Sequence, residues 1–159
     1  MAIGYRFASN EIAVMLKYIG IRDYQLIDID VGGMTEEEEK NSIDNLCKKK
    51  VLIRNEEGLS CDKVIRFIIY SIAMADNYAV IAEDGTVKVI VVNKTSTIFM
   101  KKNMNNPDVW HLFPYETFLD FVLGDHGKIN AVTEINMVSV DGAENLSWKE
   151  YSERMMNDE

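Results

Sequence analysis

The fold is decided by the stretch YAVIAEDGTVKVIVVN at residues 78–93. Two runs rich in β-branched residues, 78–83 and 86–93, flank Asp84-Gly85, a dipeptide that favours tight hairpin turns because it tolerates positive φ. A third run of the same character occupies residues 95–101. The pattern therefore predicts a three-stranded antiparallel meander in the middle of the chain.

Three helices are predicted ahead of this meander. The first, over residues 10–19, begins at a Ser9 cap. The second begins at a capping box formed by Thr35 and Glu38. The third is capped by Ser60 and runs to about residue 75. Because this helix is apolar around most of its circumference, we expect it to be buried in the middle of the core.

The elements predicted after the meander alternate between helix and strand. Pro114 opens a short helix over residues 115–123, and a long strand over 129–140 follows. Ser147 and Glu150 form a second capping box, which begins a C-terminal helix. Most of the predicted strands are nevertheless grouped in the antiparallel meander and do not alternate with helices in parallel units. This grouping indicates an α+β fold.

We therefore predict a single α+β domain over residues 1–159. Its helical N-terminal part, about 9–75, packs on a mainly β part, about 78–140, and the C-terminal helix spans about 147–156. A chain of this length buries roughly two-thirds of its unfolded surface, which is sufficient for a core of its own.

The charge balance bears on the partners. There are 17 Lys and Arg against 26 Asp and Glu, a net charge of -9. This argues against a nucleic-acid partner, because affinity for phosphates rests on basic residues. The longest apolar stretch, residues 67–75, falls far short of the ~20 residues that cross a membrane. The N-terminus has no basic segment followed by an apolar one, so we expect a cytoplasmic protein without a membrane partner.

One short motif approaches a calcium loop. Asp28, Asp30, Gly33 and Glu39 occupy positions 1, 3, 6 and 12 of the EF-hand pattern. Position 5 is Gly32, which has no side-chain oxygen, and Glu39 lies in a helix that is already well capped. We therefore expect no metal site.

The sequence contains no recognisable catalytic motif. His126 stands beside Asp125 in a turn framed by Gly124 and Gly127, but no nucleophile motif or second nearby His accompanies it. We interpret this turn as a helix stop with an exposed His. No glycine-rich phosphate loop is present either. The expectation is a protein that is not an enzyme and has no cofactor.

Partner contacts are predicted around the third strand and the following loop. Large apolar residues there lie near a polar turn, and methionine adapts to irregular partners. The alternative is a loop that tucks its aromatic residues beneath the sheet. The predicted contact residues are Ile98, Phe99, Met100, Met104, Trp110, Leu112 and Phe113.

Several segments together resemble a known family. They show, in order, a helix, a basic turn, a short apolar strand, a glycine and a long apolar helix, followed by a strand-turn-strand. These segments are residues 10–19, 43–52, 57–59, 64–72 and 78–87. In this order they resemble the N-terminal half of the EspG family, the cytosolic chaperones of type VII (ESX) secretion systems. Lys50-Val51 stands where the family has Arg-Gly.

The resemblance implies a cytosolic adaptor from Gram-positive bacteria that binds helical-hairpin secretion substrates and keeps them soluble until export. Its partner would be a small helical secreted protein or the helical domain of a toxin. The family has two related halves, and this chain resembles one, so we expect a homodimer that pairs two copies through an open edge of the meander. Two alternatives remain open: an acidic immunity protein that neutralises a toxin, and a winged-helix DNA-binding regulator.

Overall fold

The computed structural model describes residues 4–21, 24, 29–83, 85–139 and 141–157. Its contacts divide the chain into two compact units. We call Phe7–Ala73 the helical unit, and Met1–Arg6 with Met74–Glu159 the sheet unit. The predicted α+β class is confirmed. The single domain stays a prediction.

The elements follow one another closely along the chain. They are β1 (Tyr5–Ala8), α1 (Ser9–Tyr18), α2 (Glu36–Lys48), β2 (Leu52–Asn55), β3 (Gly58–Cys61), α3 (Lys63–Ala73), β4 (Asn77–Glu83), β5 (Thr86–Val92), β6 (Thr97–Asn103), β7 (Val109–Tyr115), α4 (Phe118–Leu123), β8 (Glu134–Ser139), β9 (Gly142–Ser147) and α5 (Trp148–Asn157). A 3-10 turn, Asp125–Gly127, follows α4. In the described part of the chain, no helix combines the length and the hydropathy needed to span a bilayer.

In the helical unit, a buried carboxylate joins the start of α1 to the end of α2. The Glu11 carboxylate accepts the Ala8 backbone N–H at 2.7 Å and the Lys49 ammonium at 2.8 Å. Ala8 is the cap residue and Ser9 already belongs to the helix, so the predicted Ser9 cap is wrong. Glu11 provides the other half of a capping box, because its side chain reaches back over the first turn to the backbone N–H of the cap residue.

The start of α2 agrees with the sequence. Thr35 Oγ1 accepts the Glu38 N–H at 3.1 Å, and Glu38 accepts the Thr35 N–H at 2.9 Å. The predicted capping box is confirmed. Hydrogen bonding to the Glu38 carboxylate, first from the Thr35 backbone N–H and then from the Thr35 side chain, lowers the pKa of Glu38, because it stabilises the carboxylate form.

A hairpin of β2 and β3 leads into α3. Ser60 lies in β3 and pairs with Ile53, so the prediction that Ser60 caps the third helix is wrong. The cap is provided by Asp62, whose carboxylate accepts the Ile65 N–H at 3.1 Å. The strands β2 and β3 pair here because Gly58, at φ +121°, permits a tight turn after Asn55.

The sheet unit is built on a seven-stranded sheet in the order β1-β7-β6-β5-β4-β8-β9. The predicted meander is its centre: β4 pairs antiparallel with β5, and β5 with β6. The Asp84 position of its first turn lies outside the described residues. Because β7 pairs along β6, the meander edge that supported the homodimer is not open. The outer strands are β1 and β9, and the homodimer stays a prediction.

A hydrophobic cluster of the sheet unit lies on one face of this sheet. Ala79, Ile90 and Phe99 stand side by side across β4, β5 and β6. Phe118 and Phe121 of α4 pack against them, as do residues of α5. The other members of this cluster are Ile81, Ile135, Leu146, Trp148, Tyr151 and Met155.

Two predicted elements after the meander differ from the structure. Pro114 does not open a helix but lies in β7, opposite Ile98. The helix α4 begins only after Thr117, whose hydroxyl accepts the Asp120 N–H at 3.0 Å. The predicted strand 129–140 is shortened to Glu134–Ser139, with Val140 outside the described residues. It pairs with the unpredicted β9, and then Ser147 and Glu150 form the predicted capping box.

Candidate functional site

Five of the seven predicted contact residues are buried. Their exposed fractions are 1% or less. The prediction that these five side chains are exposed for partner contacts is therefore wrong. β6 and β7 are inner strands of the sheet. β6 has buried side chains on both faces, and Trp110 and Leu112 share the one face of β7 that is buried. The open alternative was a loop that tucks its aromatic residues beneath the sheet. Trp110 is buried, but it belongs to strand β7 and not to a loop. The five are Ile98, Phe99, Met100, Trp110 and Leu112.

The other two predicted residues differ from each other. Phe113 is partly buried and packs against Phe99, with 6.1 Å between the ring centroids. Met104, just after β6, is 50% exposed. Only Met104 therefore presents a largely exposed side chain of the predicted kind, and the structure does not gather the seven residues into one surface.

An exposed apolar surface lies instead on α3, in the helical unit. Val64, Phe67 and Tyr70 are 55%, 48% and 52% exposed. We call these three residues the α3 face. The buried apolar residues lie on the other side of the helix, which carries Ile65, Ile68, Ile69 and Ile72. Ser71, near the C-terminal end of the stripe, is also buried. The prediction that α3 is buried in the middle of the core is therefore wrong, because one side of the helix is exposed.

The spacing of the α3 face forms a continuous stripe. Residues at i, i+3 and i+6 lie along one side of a helix, and six residues rise about 9 Å. Single exposed apolar residues are ordinary on protein surfaces, but an aligned stripe containing two aromatics marks a protein contact more often. A helix or hairpin lying along α3 would cover all three side chains.

Positive charge flanks this stripe at its N-terminal end. Lys63 and Arg66 are exposed, and neither forms an ion pair with another described residue. No acidic residue occupies the first turn of α3. Cations at this end are unfavourable, because the helix dipole is positive there. Apart from the Asp62 carboxylate that caps the helix, no acidic side chain of α3 lies at this end, so the two side chains suit an acidic group on a partner.

Hydrogen bonds hold the segments around α3 in place. The Asp62 N–H donates to the Val51 carbonyl at 2.8 Å, just before the helix begins. The Tyr24 hydroxyl donates to the Ile72 carbonyl at 3.4 Å near its other end. Because both ends are attached, the orientation of the α3 face is fixed within the helical unit.

A second apolar feature of this unit is a cleft of about 410 Å³. It lies where α2 ends and β2 begins. Ile53, one of its lining residues, is 54% exposed. The other lining residues are Cys47, Lys50, Leu52 and Arg54.

The candidates for metal binding and catalysis have other contacts. Asp28 lies outside the described residues, Asp30 accepts the Gly32 N–H at 3.0 Å, and Glu39 is paired with Lys17 at 2.9 Å. His126 is half-buried, so the prediction of an exposed His is wrong. Its ring packs against Phe113 in a tilted arrangement, with 4.2 Å between the centroids, because the turn after α4 packs back onto the sheet.

No protein-family model matches the chain, and no curated protein matches it significantly. The functional assignment therefore rests on the α3 face and on the sequence patterns. The sequence contained one signal for this face, the apolar residues on every side of the third helix. By itself this pattern predicts a buried helix, so it does not show that one side of α3 is exposed.

Proposed function

We propose that the protein is a chaperone-type adaptor that binds helical-hairpin substrates of a type VII (ESX-like) secretion system and keeps them soluble for export. The observation that carries this proposal is the α3 face. The order of segments shared with the EspG family adds the type of client. A cytoplasmic location belongs to the same proposal.

The physical basis is the burial of apolar surface. Fully burying a large apolar side chain contributes ~1.5–3 kcal/mol, so covering three half-exposed ones contributes about 1 kcal/mol each before entropy costs. This is a modest gain, which suits a complex that must be released. A client helix laid along α3 would hide its own apolar stripe and could not self-associate through it.

Charge would orient the client. Lys63 and Arg66 stand at one end of the stripe, so a client helix with acidic residues at the matching end binds in one direction. Such rim charges act mainly on the association rate and on register.

The immunity-protein alternative rests on a different surface. Glu36 and Glu37 are exposed at the start of α2, in a chain with a net charge of -9. A basic toxin would find complementary charge there. The same acids oppose DNA binding by this helix.

Site-specific photo-crosslinking in the producing organism tests the proposal. A photoreactive phenylalanine analogue replaces Phe67, and in a control strain it replaces Leu119, an exposed apolar residue of α4. We expect position 67 alone to cross-link a small helical secreted protein. Equal cross-linking at both positions, or none at 67, would refute the proposal. A basic toxin captured instead would support the immunity reading.

A further inference from the structure

A cleft of about 440 Å³ opens at one end of the sheet, in the sheet unit. It is lined by Glu83 of β4, Thr86 and Lys88 of β5, and Lys101 of β6. We call it the lysine cleft. Its volume is within the range of small-molecule sites, about 300–1,000 Å³.

The two lysines are placed unfavourably for folding. Lys88 lies directly opposite Lys101 in the β5–β6 register, and like charges in such pairs are destabilising. The Lys88 ammonium donates to Glu83 at 2.9 Å, which neutralises one of the two charges. The Lys101 side chain has neither an ion pair nor a hydrogen bond to another described residue. One half-buried positive charge therefore remains uncompensated.

His126 packs on the same sheet face as these lysines, next to the residues that line the cleft but not among them. His126 stacks on Phe99, with 4.9 Å between the ring centroids, and Phe99 lies two residues before Lys101 on the same sheet face. Its Nδ1 is 2.9 Å from the Tyr115 hydroxyl. Burial lowers the pKa of His126, and Lys101 and then Lys88 lower it further, while Asp125 opposes them.

We propose that the lysine cleft binds the phosphate group of a small phosphate monoester, through Lys101, Lys88 and the Thr86 hydroxyl. The charges favour a dianion over a carboxylate. The charges of Lys88, Lys101 and Glu83 add up to +1. A bound dianion near His126 favours the protonated imidazole, which supplies a second positive charge. Ammonium-to-phosphate bonds are of the stronger, charge-assisted kind.

This site is independent of the α3 face, so either assignment can fail alone. The test is an NMR titration of the full chain at pH 7, with the ionic strength held constant. The probes are inorganic phosphate, adenosine 5′-monophosphate, acetate and a phosphoserine peptide. The signal is the His126 ring, which is assigned by its loss from a His126→Gln spectrum, because the other histidine, His111, lies opposite Lys101 in the β6–β7 register and should keep its place beside the cleft.

We expect inorganic phosphate and adenosine 5′-monophosphate to shift the His126 resonances with saturation. Lys101→Met weakens this binding by at least about tenfold, because a charge-assisted bond is lost. Lys101→Arg retains it. Lys94→Met, which removes an exposed lysine of the same unit, leaves it unchanged. Lys101→Met relieves a repulsion, so it is expected to fold with a raised Tm.

Any of four results would overturn the proposal. One is a shift that rises linearly without saturation. Another is equal saturation by acetate, or an equal response from Lys101→Met and the unmodified chain. The last is saturation by the phosphoserine peptide alone, which would assign the cleft to a protein ligand.

Discussion

Two adjacent residues of α3, Phe67 and Ile68, differ strongly in exposure and provide a direct test of the α3 face. Ile68 is 1% exposed and Phe67 is 48% exposed. Replacing a buried Ile by Ala costs ~2–5 kcal/mol, because transfer energy is lost and a cavity remains. We therefore expect Ile68→Ala to lower the free energy of unfolding by that amount.

The matched variant is Phe67→Ala. About half of the Phe67 side chain is in water already, so its buried part contributes roughly 1 kcal/mol. Alanine is also the better helix former, by several tenths of a kcal/mol, which offsets part of the loss. The expected net cost is about 0.5 kcal/mol.

Urea unfolding followed by circular dichroism measures both variants, with an unchanged m-value as the check that the same transition is observed. Client binding should show the opposite order: Phe67→Ala weakens it, because an aromatic anchor at an interface contributes more than ~1 kcal/mol. A Phe67→Ala variant as unstable as Ile68→Ala would refute the assignment of an exposed face. A stable Phe67→Ala variant with full affinity for an identified client would remove the docking role only.

Three further predictions address other parts of the chain. Ser147→Ala should cost about 1 kcal/mol in urea unfolding because it removes the cap of α5, whereas Ser152→Ala, on the same helix, should cost less. Folding lowers the pKa of His126, so the unfolded chain binds more protons than the folded one as pH drops below 6.5. Tm should therefore fall with decreasing pH, and between about pH 5 and 6.5 the His126→Gln variant should show a smaller dependence of Tm on pH. Light scattering at micromolar concentration should give twice 18.2 kDa if the predicted homodimer forms, and a constant 18.2 kDa would exclude it.

The features that the sequence predicted are those fixed by neighbouring residues. The Thr35 and Ser147 capping boxes depend on a side chain three positions away, so the pattern alone located them. The runs of β4 and β5 were equally clear. Their β-branched residues are typical of strands whatever packs on them.

The features that were missed depend on packing between distant segments. Pro114 favours a helix start locally, but β7 forms because Trp110 and Leu112 enter buried positions beside β6. Likewise α3 is apolar on every side, and only the packed helical unit decides which side stays in water. The His126 site joins an imidazole to aromatic rings from β6 and β7, a meeting that no spacing along the chain records.

The position of β1 in the sheet has a consequence for the time course of synthesis. β1 is the first strand made, yet its neighbour is β7, which ends at Tyr115. At about 5–20 residues per second, a ribosome needs roughly 5–20 s to reach that strand after β1 has been made. Throughout this interval the first strand has no partner in the sheet. The helical unit, Phe7–Ala73, is complete well before then, so a nascent chain acquires its α3 face before its sheet is closed.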